Sequence, residues 1–289
     1  MPELPEVETI RRQLEGAIDG LVIESVRVDG RRVVRRGDVE VFARWEPRRV
    51  IGVDRIGKFL ALRFEDLGAV VIHLGMSGFL RLEGVSDSED TRTQPVHTQP
   101  AHTQLAMTFD NGGSLLLVDP RTFGEVFWVD HWSVDPPHAT MLSHLGVDLL
   151  ADPQVVIDEV RPRFLLTHRG VKAFIMDQKM MAGLGNMYAD EALFRVGFHP
   201  EEPCQRLGTV GLAQVVDGIG CVLREAIAHG GSTFADRSYR NLEGEGTYYP
   251  SLLVYQRQGH RCLLCYHRIE RLRYQRRYSH FCPRCQRRL

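Results

Sequence analysis

The chain has 289 residues, 43% hydrophobic and 25% charged, an ordinary globular composition with room for two domains of usual size. No apolar run approaches the roughly 18 residues of a membrane span. The N-terminus lacks a basic-then-apolar leader, so the expectation is a soluble, cytoplasmic monomer with no membrane partner. The net charge of −1 hides an asymmetry: residues 257–289 carry ten arginines and one acid, Glu270. Such a basic end on an otherwise acidic chain suggests a polyanion-binding module.

The opening "PELPEVETIRRQLEGAI" places Val7, Ile10, Leu14 and Ile18 at helical spacing, with Pro5 suited to a first turn. Eight short β-type runs follow: 21–28, 49–56, 58–64, 69–74, 78–84, 105–109, 114–119 and 124–129. With turn signals such as "DNGG" (110–113), they read as a β-sandwich or barrel. Residues 85–103, polar with a short TQP repeat, read as a mobile surface loop. Beyond about 134 the texture is helical: "MLSHLGVDLL", "PQVVIDEVRPRFLL", "KAFIMDQKMM", "NMYADEALFRVGF" and "TVGLAQVVDGIGCVLREAIAHGG". The last of these stops at Gly230-Gly231. A Gly-rich polar stretch, 235–250, leads into the basic end.

Within that end, Cys262, Cys265, Cys282 and Cys285 read C-x2-C-x16-C-x2-C. In a chain without a secretion signal this spacing indicates zinc rather than disulfides, with the 16-residue spacer long enough for a hairpin. Four thiolates leave no open coordination position, so a single structural Zn2+ is expected. Cys204 and Cys221 stand apart and read as small packed side chains. The fold class is therefore α+β in three blocks: an N-terminal helix plus β-sandwich (1–133), a helical domain (134–252) and a C-terminal zinc hairpin (253–289).

"PELPEVE", "HLGMSG" (73–78), "DPRTFG" (119–124), "DQKMMAGLGNMYADEALF" (177–194) and the cysteine module occur in this order across nearly the whole chain. Together they resemble the formamidopyrimidine-DNA glycosylase family of bacterial repair enzymes for oxidised purines. The resemblance implies a bifunctional glycosylase and AP lyase on damaged duplex DNA, which excises 8-oxoguanine and formamidopyrimidines by way of a Schiff base. It makes Pro2 the nucleophile once Met1 is removed. An α-amino group titrates at about 7.7–8.0, so much of it is free near neutrality, and a secondary amine gives an iminium that stays cationic. The resemblance assigns Glu3 as general acid/base at the sugar ring oxygen and Glu6 as a supporting carboxylate. Lys58 is matched to a phosphate contact that assists β-elimination, and Arg277 to the hairpin arginine that grips phosphates and assists δ-elimination.

The same resemblance makes 134–252 a helix–two-turn–helix domain, with Asn186 on the lesion phosphate at a Gly-rich helix start. Met76, Arg121 and Phe123 fill the gap left by the extruded base. On residue type alone Met76 and Phe123 read as core. Residues 235–250 match the segment that closes over the everted base, with Gly244 and Gly246 letting it act as a lid. The sequence departs from the family pattern at three places. Thr122 stands where a second arginine is usual. A DNA-contacting histidine position falls on Pro100, leaving His102. An upstream lysine cluster is reduced to His168, Arg169 and Lys172, with Arg169 kept as a DNA contact. A modest shift in DNA affinity is expected, because phosphate contacts add in increments. Two alternatives stay open: an endonuclease VIII-like glycosylase for oxidised pyrimidines, and a non-catalytic DNA-binding relative.

Overall fold

The computed structural model describes residues 2–29, 32–85, 100–133, 141–236, 239–274 and 277–288. Met1, most of the 85–103 loop and the 133/134 boundary lie outside them. The chain divides into two compact units, Met1–Ser143 with Gly230–Thr247, and His144–His229 with Tyr248–Leu289. This grouping differs from three consecutive blocks. Residues 230–247 join the N-terminal unit, and the cysteine hairpin shares a unit with the helices.

The first unit begins with α1 (Leu4–Ile18), whose Leu4, Val7, Ile10, Leu14 and Ile18 form one buried stripe. Its strands are β1 (Val22–Val28), β2 (Arg48–Ile56), β3 (Phe59–Phe64), β4 (Ala69–His73), β5 (Phe79–Glu83), β6 (Thr103–Phe109), β7 (Ser114–Val118) and β8 (Glu125–Val129). A short helix, α2 (Glu40–Ala43), lies between β1 and β2. All eight expected strands are present, each within two residues of its expected bounds. Their order is β5-β7-β6-β1-β2-β3-β4-β8, antiparallel between neighbours. β2 is the hinge of this arrangement. Its first residues, Arg48 and Arg49, pair with β1, whereas Val50–Ile56 pair with β3 across an irregularity between Val50 and Gly52. One core then collects inward side chains from both halves, including Ile23, Met107 and Leu117 with Val53, Leu62 and Ile72, against Val7, Ile10 and Leu14 of α1. Burial of each such side chain contributes roughly 1.5–3 kcal/mol.

The second unit contains β9 (Val147–Asp148), α3 (Pro153–Leu166), α4 (Val171–Ile175), β10 (Met181–Ala182), α5 (Asn186–Val196), α6 (Cys204–Ala228), and the hairpin β11 (Glu270–Tyr274) and β12 (Arg277–Phe281). Two helical expectations are corrected. "MLSHLGVDLL" is turn and short strand, because Val147 and Asp148 pair in parallel with Met181 and Ala182. Gly146 there lies so close to Met180 that a Cβ would meet its carbonyl oxygen at 2.4 Å. "KAFIMDQKMM" is helical only to Ile175, since its remainder turns to supply that same strand pair. α6 starts at Cys204, with a non-helical Gly208 (φ 62°) marking a kink before the expected start. α5 ends on Gly197 in the left-handed region (φ 76°), a conformation glycine adopts without strain. No helix among the described residues is long and apolar enough to cross a membrane.

Candidate active site and nucleic-acid interface

Pro2 is buried directly before α1, and Glu3 occupies the extended N-cap position (φ −109°, ψ −170°). Glu6, one turn on, accepts the Glu3 N–H on Oε2 at 2.8 Å and the Ser232 N–H on Oε1 at 2.9 Å. The first bond is half of a capping box, which satisfies a helix-end donor. The second reaches 226 residues along the chain. Both carboxylates are buried, a state that requires hydrogen-bonded partners. The Tyr239 hydroxyl donates to the Gly230 carbonyl at 3.1 Å, and burial beside Glu6 raises its pKa, keeping it protonated. Gly231 (φ 84°) lets this strap pass: a Cβ there would sit 3.0 Å from Glu6 and from the Tyr239 ring. Gly246 is closer still, since a Cβ would meet the Gly231 carbonyl oxygen at 2.4 Å. Its smallness therefore serves close packing, whereas the sequence assigned it to mobility. Leu242 is tied as well, its N–H donating to Gln13 Oε1 at 3.0 Å.

Lys58 lies in the two-residue turn between β2 and β3 and is buried. Arg55 connects that turn to α1: its Nε lies 3.0 Å from Glu8 Oε2, and its Nη1 donates to the Gly57 carbonyl at 2.9 Å. Burial raises the Glu8 pKa, but Arg11, Arg12 and Arg55 outweigh it and hold the carboxyl below its ordinary value. Glu8 is thus an ion-pair hub rather than a reagent. Close to Lys58 is His73, whose pKa falls from 6.5 to about 4 through burial and then the charges of Lys58, Arg36 and Arg35. The neutral ring accepts the Gly75 N–H at 3.2 Å and packs on Phe59.

Met76, Arg121 and Phe123 are all exposed. This corrects the core reading of Met76 (43% exposed) and Phe123 (46%). The Arg121 guanidinium lies 5.6 Å from the Phe123 ring centroid. Asp119, fully buried, organises both loops. Its Oδ1 accepts the Ser77 hydroxyl at 2.6 Å and the Arg121 N–H at 3.2 Å, and its Oδ2 accepts the Gly124 N–H at 2.6 Å. Thr122 takes a left-handed conformation (φ 53°), and Arg35 donates to its carbonyl at 2.7 Å. His102, exposed and also left-handed, accepts the Asp119 N–H on its carbonyl at 3.0 Å, so it borders the same loop. The structural parts of Ser77, Asp119 and Arg35 were not foreseen. The one available signal was the aspartate opening "DPRTFG", a residue type that caps its own turn.

In the second unit, Asn186 is the first residue of α5, after Gly185 at the N-cap, and its Nδ2 donates to the Tyr278 carbonyl at 3.1 Å. Arg277, exposed, begins β12 and pairs with Tyr274 across the hairpin. Asn186 and Arg277 therefore lie on elements in direct contact. Arg169 lies apart from this pairing: it holds Asp177 at 2.9 Å and donates to the Ala173 carbonyl at 2.8 Å. Glu191, one turn into α5 and unassigned in the sequence, accepts backbone N–H groups of Leu253, Val254 and Tyr255 at 2.8–2.9 Å.

The Sγ atoms of Cys262, Cys265, Cys282 and Cys285 all lie within 4.8 Å of one another. Cys265–Cys282 is 3.4 Å and Cys262–Cys285 is 3.9 Å. A tetrahedral ion with metal–sulfur bonds of about 2.3 Å needs sulfur spacings of roughly 3.8 Å. Four cysteines at these distances can bind a metal ion. Gln286 braces the second knuckle, accepting the Cys282 N–H at 2.9 Å and donating to the Phe198 carbonyl at 2.9 Å.

Residues 1–126 match the model of the formamidopyrimidine-DNA glycosylase N-terminal domain, and residues 145–238 match that of the H2TH domain of the same glycosylases. A formamidopyrimidine-DNA glycosylase from Mycolicibacterium smegmatis is 37% identical over 295 residues, covering 99% of this chain and 97% of that one. Among solved structures, a Lactococcus lactis Fpg variant in complex with DNA containing Fapy-dG aligns with TM-score 0.84 at 30% identity, over 99% of this chain and all of the other. The MutM (Fpg) protein of Thermus thermophilus aligns with TM-score 0.82 at 34% identity over both whole chains.

Proposed function

The chain belongs to the formamidopyrimidine-DNA glycosylase family, and on that premise we propose that it excises oxidised purines from damaged duplex DNA and then cleaves the strand as an AP lyase. One observation carries the assignment of residues. A buried proline precedes a helix whose N-cap and first turn carry the buried carboxylates Glu3 and Glu6, and Arg55 ties that helix to the Lys58 turn.

The Pro2 nitrogen attacks C1′ of an extruded nucleotide, the bond to the damaged base breaks with its electrons leaving on the base, and the proton carried by the attacking nitrogen passes to the departing base. Glu3 delivers a proton to the ring oxygen as the C1′–O4′ bond opens, leaving a cationic iminium between C1′ and Pro2. Glu6 is satisfied by two backbone donors, so its part is to hold the N-cap and the strap in place. Loss of the C2′ proton expels the 3′ phosphate. Loss of the C4′ proton then expels the 5′ phosphate. Lys58 and Arg277 supply positive charge to the leaving phosphates, and Asn186 donates to the phosphate at the lesion. Met76 and Phe123 enter the gap in the stack while Arg121 reads the edge of the unpaired base; their exposure supports this use. His102 and Arg169 add backbone contacts. Zinc at the four thiolates would hold the hairpin together and supply no catalytic position.

Borohydride trapping on an oxidised-guanine duplex tests the proposal. A covalent adduct is expected with Pro2 free, and none with Pro2→Gly or a retained Met1. Undiminished trapping by a chain with a blocked terminus would overturn the nucleophile. A parallel thymine-glycol duplex tests the pyrimidine-directed alternative, which requires that lesion to be preferred.

A further inference from the structure

Arg277 and Asn186 come from different elements, and something must fix their register. The outer edge of β12 supplies the clue. The Tyr278 carbonyl and the His280 N–H point to the same side of the strand, away from β11, as the free hydrogen-bonding groups of an edge strand do. No strand covers them among the described residues. The carbonyl instead accepts from Asn186 Nδ2 at 3.1 Å and from Lys172 Nζ at 3.3 Å. The N–H donates to Asp190 Oδ2 at 2.9 Å, and the His280 ring Nδ1 lies 3.1 Å from the same oxygen.

Asn186 and Asp190 are four residues apart on α5 and so share a face. Asn186 presents a donor to the strand and Asp190 an acceptor, the alternation a neighbouring strand would offer. Lys172 on α4 completes the arrangement. Its Nζ lies 2.6 Å from Asp190 Oδ1, and Lys172, Asp190 and His280 are all buried. The face of a helix has thus replaced a strand, and it docks the hairpin one residue from Arg277.

We infer that Asp190 is a positioning residue for Arg277: it anchors β12 to α5 and thereby sets the hairpin arginine in register with Asn186 over the phosphates flanking the lesion. The inference rests on the functional reading above, in which Arg277 serves the second elimination. Displacing Arg277 leaves attack by Pro2 chemically possible but removes charge stabilisation from the departing 5′ phosphate. The readout is accordingly the ratio of δ- to β-elimination product, which a general loss of stability would not alter.

Asp190→Ala and the near-isosteric Asp190→Asn would be assayed on an oxidised-guanine duplex at saturating enzyme, below their melting temperatures. The Asn variant keeps the volume and an acceptor for the His280 N–H. The δ:β ratio is expected to fall between about tenfold and a hundredfold in the Ala variant, the upper figure being the scale of a misplacement of about 1 Å, and less in the Asn variant. Base release should fall by a smaller factor than the ratio. An unchanged ratio, or base release and both eliminations falling in step, would overturn the inference. Absence of δ product from the unaltered chain would sink the functional reading itself, and the inference with it.

Discussion

The strap at the head of α1 and the hairpin dock on α5 solve the same problem with different physics. In each, a buried carboxylate captures a backbone N–H from far along the chain: Glu6 takes Ser232, and Asp190 takes His280. The strap depends on shape, because a Cβ at Gly246 would collide with the Gly231 backbone, and Gly231 itself takes a left-handed conformation (φ 84°) tight against Glu6 and Tyr239. The dock depends on charge, because Lys172 is ion-paired with Asp190 inside the unit. A cluster of thiols lies at the far end of the same hairpin. The strap should therefore fail when its acceptor or its small residues change. The dock should fail when its charges are removed, or when the cysteine cluster is prevented from holding a metal ion.

The largest separation between the two regions should come from the thiolate site. Cys282→Ser, or prolonged chelation, removes a ligand set whose metal contributes on the order of 10 kcal/mol in small zinc modules. The expected outcome is loss of strand cleavage and of an early melting transition, with the β-rich unit still folded. Metal analysis alongside melting checks it. A fully metal-free protein that melted and cleaved as before would remove zinc from the comparison. Next comes the strap. Glu6→Ala leaves two buried N–H groups without their acceptor, at roughly 1–3 kcal/mol each. A destabilisation of about 2–6 kcal/mol is expected in melting experiments, with Glu6→Gln costing less because one acceptor oxygen survives. Equal melting of all three proteins would mean that neither bond contributes.

Much of this was legible in the sequence, for identifiable reasons. The eight strands are legible because turn residues punctuate short apolar runs, and the clustering of the four cysteines because C-x2-C spacing has few other uses. The failures are equally physical. Val147–Asp148 and Met181–Ala182 form a strand pair too short to carry a period, in segments whose apolar content suits a helix. Exposure of Met76 and Phe123 could not be read from their types, since both are common in cores. The roles of Asp190 and Glu191 lie in bonds to backbone groups up to 90 residues away in sequence, and no local pattern encodes those, whereas Asp119 caps its own turn through Arg121 and Gly124.

A smaller effect shows that the strap's own unit also contains a charge-sensitive point. The His73 pKa is depressed from 6.5 to about 4 in the folded chain. Its contribution to stability is fully present above pH 6.5 and declines as the pH drops towards 4, because the unfolded chain takes up the proton first. The loss amounts to at most about 3 kcal/mol at roughly 1.4 kcal/mol per pH unit. Urea titrations at pH 7 and pH 4 should show the difference shrinking in His73→Asn. Parallel losses in both proteins would mean that other groups account for the acid sensitivity.

The smallest effect on stability is expected at Met76 and Phe123, and it separates folding from function most cleanly. Neither side chain belongs to the strap or the dock, and each leaves over two-fifths of its surface in solvent. Truncation to Ala should therefore change stability by no more than about 0.5 kcal/mol, as at other surface positions. Their loop should survive too, since Asp119 holds it through Ser77, Arg121 and Gly124 without either side chain. If they fill the stack when a base is extruded, each variant should melt normally yet excise from duplex DNA more slowly. The defect should shrink on a substrate whose lesion is already unpaired, where the cost of unstacking is low. A variant equally slow on both substrates would assign these residues to binding in general. One with a lowered melting point would return them to the core, where residue type alone had put them.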